Sequence, residues 1–228
     1  MPRGTSRQEF DREASGYDST ARRTMPRYRD LHQMLEWGVP YLPTRAFSVL
    51  ELGCGTGTLT ERFLTAFPHA RMTAVDISEE MLRRARTKTR AHRDRVEFHR
   101  GHFVDLKFAG PFDAVISALA IHHLTDPEKG RLFRVVAGWL PSGGYFGNAD
   151  DHLPEDPLFD NRFREIAAGV PSEGGRASSA DARVWHRHDL FDHPTTVSHE
   201  LDLLRRARFG HIDVPWRFLG QSVVWAYR

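Results

Sequence analysis

The sequence is poor in cysteine and lysine and has no long apolar run. Cys54 is its one cysteine, so neither an internal disulfide nor a cysteine-based zinc site can form. No apolar stretch approaches the roughly 18–20 residues needed to cross a bilayer, which excludes a membrane-spanning helix. Met1–Phe10 is polar and basic with no apolar core, so it does not read as a secretory signal, and a cytoplasmic location is expected. Lysine occurs only at Lys88, Lys107 and Lys129, and arginine supplies the remaining basic residues. With a net charge of +2 and no dense basic stripe interleaved with aromatics, nucleic-acid binding is disfavoured. No Asn/Asp-Pro-Pro-Tyr/Phe run is present, which disfavours amino-group chemistry on DNA adenine. There is no Pro-Cys pair, which excludes a cytosine-type mechanism through a cysteine nucleophile.

What is present is ordinary globular composition, 40% hydrophobic and 27% charged, in 228 residues. That length suits one α/β domain with a helical cover. Residues 1–40 read as helices. Phe10, Ala14 and Tyr17 recur at helical spacing, Met25-Pro26 interrupts, and Leu31, Met34, Leu35 and Val39 form a second apolar face. From Ala46 short apolar runs alternate with amphipathic stretches, the pattern of repeated βα units. Strands are predicted at Phe47–Leu52, Arg71–Asp76, Val96–His99, Ala114–Ser117 and Gly144–Ala149, with a closing pair at Ile212–Phe218 and Ser222–Ala226.

Between the strands, Leu59, Phe63 and Phe67 mark one helix, and Ser78 is placed to cap a second whose Met81, Leu82 and Ala85 face inward. Asp126-Pro127 reads as an N-cap acid followed by proline at N1 of a helix through Trp139. Asp156–Ala168 has helical apolar spacing (Leu158, Phe159, Phe163 and Ile166), Pro171–Ala180 reads as a mobile loop, and Leu190–Arg208 regains helical character. The expected organisation is an N-terminal helical lid at 1–45 and a domain at 46–228 carrying an insertion at about 151–188.

The most informative segment is Val49-Leu50-Glu51-Leu52-Gly53-Cys54-Gly55-Thr56-Gly57-Thr58. A strand runs into three alternating glycines and then a helix. Glycine there permits positive φ and close approach of backbone to a ligand, and the helix N-terminus offers free N–H groups. The spacing is G-x-G-x-G, whereas the pyrophosphate-binding dinucleotide fingerprint is G-x-G-x-x-G. A second strand ends in Thr73-Ala74-Val75-Asp76-Ile77-Ser78, placing an acid about 20 residues after the glycines, where a carboxylate can accept both hydroxyls of a ribose.

The loop with Glu51 before it resembles motif I of the class I S-adenosylmethionine-dependent methyltransferases. The resemblance covers most of the chain, and it implies a Rossmann-like, doubly wound, seven-stranded, mostly parallel α/β sheet with an antiparallel edge strand. It implies S-adenosylmethionine as cofactor, held by Glu51, Gly53, Cys54, Gly55, Gly57, Asp76 and Ile77. Phe10…Ala14…Tyr17-Asp18…Arg22-Arg23…Pro26 is similar to the N-terminal lid of a bacterial branch of the family, where a tyrosine and an arginine (here Tyr17 and Arg22) approach the cofactor's methionine end. Met81 matches a position near the adenine. Arg100-Gly101-His102-Phe103 matches the segment after the third strand, with His102 where the family commonly has aspartate; a neutral histidine can accept the adenine amino hydrogen bond through a ring nitrogen. Phe112–Leu124 resembles the fourth-strand motif of small-molecule methyltransferases, bringing Ser117 toward the methionine end.

Methyl transfer from a sulfonium chiefly requires in-line alignment of the acceptor, and a general base helps when the nucleophile carries a proton. His122 and His123 are the catalytic candidates, because histidine titrates near neutral pH. Asp150, Asp151 and His152, after the fifth strand, are further candidates to face the substrate. No helical H-x-x-x-H spacing occurs, so no metal is expected. The expected partner is a small-molecule acceptor methylated on O, N or C, with the chain acting as a monomer or homodimer. The rival readings are an RNA or protein methyltransferase, a non-catalytic S-adenosylmethionine-binding protein and, more distantly, an NAD-dependent dehydrogenase.

Overall fold

The computed structural model describes residues 3–105, 107–108, 110–175 and 192–228. Three helices open the chain: α1 (Arg3–Glu13), α2 (Tyr17–Thr24) and α3 (Tyr28–Trp37). The βα repeat follows as β1 (Ser48–Leu52), α4 (Thr58–Ala66), β2 (Arg71–Asp76), α5 (Glu79–Lys88), β3 (Val96–Arg100), β4 (Ala114–Ala118), α6 (Asp126–Trp139) and β5 (Tyr145–Asp151). Then come α7 (Asp160–Gly169), α8 (Val197–Arg206), β6 (His211–Phe218) and β7 (Gln221–Tyr227). The predicted strands are all present, with ends within two residues of expectation.

The seven strands lie in the order β3-β2-β1-β4-β5-β7-β6. β1 to β5 run parallel, and β7 is antiparallel to both β5 and β6. The strand order reverses between β1 and β4, so the crevice beyond their carboxyl ends is where an open α/β sheet binds ligands.

Apolar side chains from both sheet faces build two cores. One joins Leu31 and Leu35 of α3 and Phe63 and Leu64 of α4 to β1 and β5. The other joins Leu132, Phe133 and Val136 of α6 and Leu204 of α8 to the opposite face. α3 is also pinned through polar groups at its end: the Tyr145 hydroxyl donates to Leu35 O at 3.1 Å and the Trp225 indole to Met34 O at 2.9 Å.

Ser78 caps α5 as predicted, its Oγ accepting from Met81 N at 3.1 Å. At α6 the cap falls one residue earlier than expected. Thr125 is the N-cap and forms a capping box with Glu128, which moves Asp126 and Pro127 into the first turn. The 151–188 segment also departs from expectation. The helix begins at Asp160 rather than Asp156 and buries no side chain, and in the short turn before it Leu158 is 79% exposed and Phe159 48%. The segment's start and return are held together by Leu153 N donating to Thr195 O at 2.9 Å. Residues 176–191, which contain half of the predicted Pro171–Ala180 loop and Leu190, lie outside the described residues. Among the described residues no helix is long and apolar enough to cross a membrane.

Candidate active site

The turn after β1 is shaped by its glycines. Gly53, Gly55 and Gly57 have φ of 72°, 52° and 79°, a region that side chains with a Cβ disfavour. A Cβ on Gly53 would meet Ala120 Cβ at 2.4 Å, and one on Gly57 would meet the Ala85 backbone at 2.9 Å. Gly55 instead faces open space, and its amide donates to Asp76 Oδ2 at 2.8 Å. Asp76 Oδ1 accepts from Ser78 N at 2.8 Å. The carboxylate thus fixes both turns. Burial pushes it up to about 6, against the opposing pull of the Ser78, Gly55 and Ile77 amides.

These elements border one cavity of about 470 Å³. Its wall includes Asp76, Ile77, Met81, His102 and Phe103, the residues Glu51, Gly53, Cys54, Gly55 and Tyr17, and also His123, Thr125, Glu128, Arg131 and His193. Four of the sequence-predicted residues are not part of the wall. Gly57 packs against Ala85. Arg22 is exposed on α2. Ser117 is wholly buried within the sheet, its hydroxyl donating to Leu52 O at 3.0 Å.

His122, the fourth, is also turned inward. Asp150 accepts its backbone N–H at 2.9 Å and its Nδ1–H by a short contact. Burial works against charging this ring, but Asp150, Asp192 and Asp151 overcome it and raise its pKa to about 9. His122 is therefore held by Asp150 and turned away from the cavity wall. Asp150, Asp151 and His152 are likewise absent from the wall. His152 is buried between Glu200 at 2.8 Å and the Ser222 hydroxyl at 2.7 Å, bracing α8 against β5 and β7.

Glu51 and the N-terminal helices complete the enclosure. Burial pushes Glu51 up to about 8; Asp76 adds to the rise, while the Thr60 hydroxyl, donating at 2.6 Å, and Lys88 oppose it. Lys88 Nζ donates to Asp18 Oδ2 at 2.6 Å, Thr58 Oγ1 at 2.6 Å and Thr56 Oγ1 at 3.0 Å, and the Thr56 hydroxyl donates to Asp18. Burial acts to raise Asp18, yet these bonds hold its carboxyl below the usual range. α2 is thereby fastened to the glycine turn and to the end of α5. α1 is fastened nearby, where the Ser78 hydroxyl donates to Asp11 Oδ1 at 2.5 Å.

Sequence reasoning gave no role to Lys88, Asp11 or Asp18. The rarity of lysine was the available signal for the first. It also missed Asp192, whose Oδ1 lies 2.6 Å from His123 Nδ1 across 69 residues of sequence.

Comparison with known proteins bears on this arrangement. Residues 49–144 match the family described as a methyltransferase domain. An uncharacterized methyltransferase of Geobacillus sp. (strain WCH70) is 30% identical over 158 residues, covering 68% of each chain. The chain belongs to the class I S-adenosylmethionine-dependent methyltransferases. A malonyl-[acyl-carrier protein] O-methyltransferase of Bacillus cytotoxicus is 35% identical over 131 residues, 57% of this chain but 45% of that longer protein. Among solved structures, the N-methyltransferase NodS from Bradyrhizobium japonicum, in complex with S-adenosyl-L-homocysteine, superposes with a TM-score of 0.66 at 18% identity, over 97% of this chain and 96% of that one, and so shares the fold.

Proposed function

We propose that this methyltransferase-family chain transfers the methyl group of S-adenosylmethionine to a small-molecule acceptor. The observation that carries the reading is one cavity lined both by the Asp76 carboxylate beside the glycine turn and by His123, Arg131 and His193.

The residues fit the cofactor. Open space lies over Gly55, and a buried carboxylate stands beside it with its loop amides already in place. Asp76 would hold the ribose hydroxyls, Met81, His102 and Phe103 the adenine, and Glu51, Gly53, Cys54 and Tyr17 the methionine portion. The bound cofactor supplies an activated methyl group, and the chain's part is alignment and exclusion of water. The solved relative NodS carries S-adenosyl-L-homocysteine, which supports the same ligand here. A cavity of about 470 Å³ suits a small acceptor better than a macromolecule. His123, which lines it and is held by Asp192, is assigned to act on the acceptor's proton; His122 contributes by anchoring this corner. Residues 1–45 serve as the lid on a domain at 46–228, with 151–188 as a second flank.

Calorimetry tests the reading. S-adenosylmethionine and S-adenosylhomocysteine are expected to bind at micromolar concentration and NAD not at all; NAD binding without a response to either sulfur nucleoside overturns it. Asp76→Ala should weaken cofactor binding by roughly 1.5–3 kcal/mol through lost charge-assisted hydrogen bonds. An unchanged dissociation constant would reduce Asp76 to a brace for the two turns.

A further inference from the structure

We propose that His122, His123 and Asp192 form a binding site for one divalent first-row transition-metal ion at the acceptor end of the cavity. One ring nitrogen of each histidine and a carboxylate oxygen of Asp192 all lie within 4.8 Å of one another. Asp192 Oδ1 is 2.6 Å from His123 Nδ1, and its Oδ2 is 3.8 Å from His122 Nε2. Donors held 2.0–2.2 Å from one ion stand about 3–3.5 Å apart, a spacing these two distances bracket.

The surroundings are those of a ligand set. Asp150 occupies His122 Nδ1 and also holds its backbone N–H, so the ring is fixed with Nε2 turned to Asp192. A carboxylate on the far nitrogen is the arrangement that orients metal-ligating histidines and raises their basicity. Asp150 and Asp192 thus stand at the two nitrogens of one buried ring.

Local structure brings the ligands together from distant sequence. The two histidines sit on a short turn, Ile121–His123, directly after β4. Asp192 is delivered by the chain returning from the insertion, anchored next door by His193 N donating to His122 O at 2.7 Å. The sequence expectation of no metal rested on the lack of an H-x-x-x-H spacing and set Asp150 and His152, not Asp192, beside the two histidines.

Two imidazoles and one carboxylate suit zinc, iron, cobalt or nickel better than magnesium or calcium, which prefer all-oxygen sets. Three protein donors leave coordination positions open. Because His123 and His193 line the cavity, the open side takes an oxygen-bearing acceptor: a phenol, an enol or a carboxylate. This consequence rests on the methyl-transfer reading, and it makes His123 a ligand in the loaded protein, with coordination rather than a side-chain base acidifying the acceptor oxygen. Cation binding itself does not depend on that reading.

The test uses the untagged full-length chain, stripped with EDTA, desalted and titrated with Co²⁺ while visible ligand-field absorption is followed, then with Zn²⁺ in competition. One equivalent should saturate the signal, and Zn²⁺ should abolish it. Asp192→Asn, which keeps the shape of the side chain, and His123→Gln should each weaken Co²⁺ binding by at least roughly tenfold, with far-UV circular dichroism and S-adenosylhomocysteine affinity unchanged. Absence of Co²⁺ and Zn²⁺ binding up to millimolar concentration, or equal affinity in Asp192→Asn, overturns the site. A chain that binds S-adenosylhomocysteine but no cation overturns this proposal alone; one that binds the cation but neither sulfur nucleoside overturns the methyl-transfer reading alone.

Discussion

The two segments outside the βα repeat, the N-terminal helices and the described part of 151–188, are built differently. The N-terminal helices bury an apolar stripe, Ala14, Ala21, Tyr28, Leu31 and Leu35, and add ion pairs and hydrogen bonds to the glycine turn, α4 and α5. The described part of the 151–188 segment leaves Leu153, Leu158, Phe159 and Ile166 exposed and meets the N-terminal helices through polar contacts, among them Glu173 with Arg29. Gly174 N donates to Arg22 O at 2.8 Å, and the Ser172 hydroxyl to Arg23 O at 2.6 Å. Apolar spacing looked alike in both segments, yet only one stripe meets a partner surface. An amphipathic pattern states what a helix can bury, and the sheet decides whether anything is there to bury it against.

If the N-terminal helices are integral to the fold, emptying their core contact should have the largest effect. Leu31 is fully buried, and Leu31→Ala should destabilise the protein by about 2–5 kcal/mol, lowering Tm by roughly 5–15 °C. A thermal scan showing a change under about 1 kcal/mol would make these helices as dispensable as the other flank.

The next effect concerns the fastening of α2. Lys88→Met removes three hydrogen bonds and leaves Asp18 partly buried without its cation. S-adenosylhomocysteine affinity should fall about tenfold, equivalent to about 1.4 kcal/mol, with faster hydrogen exchange over residues 17–24. The double variant Asp18→Asn with Lys88→Met should lose less than the two single losses added together, because the orphaned charge is gone. Additive losses would show that the pair does not act as one latch.

A smaller effect is read through pH. Glu51 is pushed up to about 8 from an ordinary 4.5, so the ligand-free chain holds it neutral at pH 7. Its folded pKa lies above the unfolded one. Its contribution to stability is therefore complete below about pH 4.5 and is lost as pH rises toward about 8. A cationic ligand prefers the carboxylate, so S-adenosylmethionine affinity should rise a few-fold from pH 6 to 8 and level off above it, with proton release on binding. In Glu51→Gln the profile should be flat; a slope that persists assigns the titration to another group.

Much of this was legible beforehand. The strands, the α5 cap, the glycine turn and Asp76 follow from local pattern, because adjacent residues settle them. What sequence did not show was pairing across distance. Asp192 meets His123 across 69 residues and Lys88 meets Asp18 across 70, and neither pair has a periodic signature. For the same reason His122 and His123 look equivalent in sequence yet differ in place, since His122 is buried against Asp150 while His123, its neighbouring ring, lines the cavity.

The smallest expected effect sharpens the comparison from the other side. Leu158 and Phe159 are largely in solvent, and Leu158→Ser or Phe159→Ser should change stability by no more than about 0.5 kcal/mol. Hydrogen exchange should agree: S-adenosylhomocysteine should protect residues 8–37 clearly and residues 157–169 little, because only the first set is tied to elements of the cavity wall. Exposed apolar residues carry a second consequence. If the flank meets the acceptor rather than the cofactor, these serine variants should raise KM for the acceptor while leaving S-adenosylhomocysteine affinity and Tm untouched. A fall in Tm of several degrees would mean that the stripe is buried in solution against a surface that the described residues do not include. Unchanged KM, affinity and Tm together would mean that α7 is an appendage, in a flank that the polar contacts at Ser172, Glu173 and Gly174 join to the N-terminal helices.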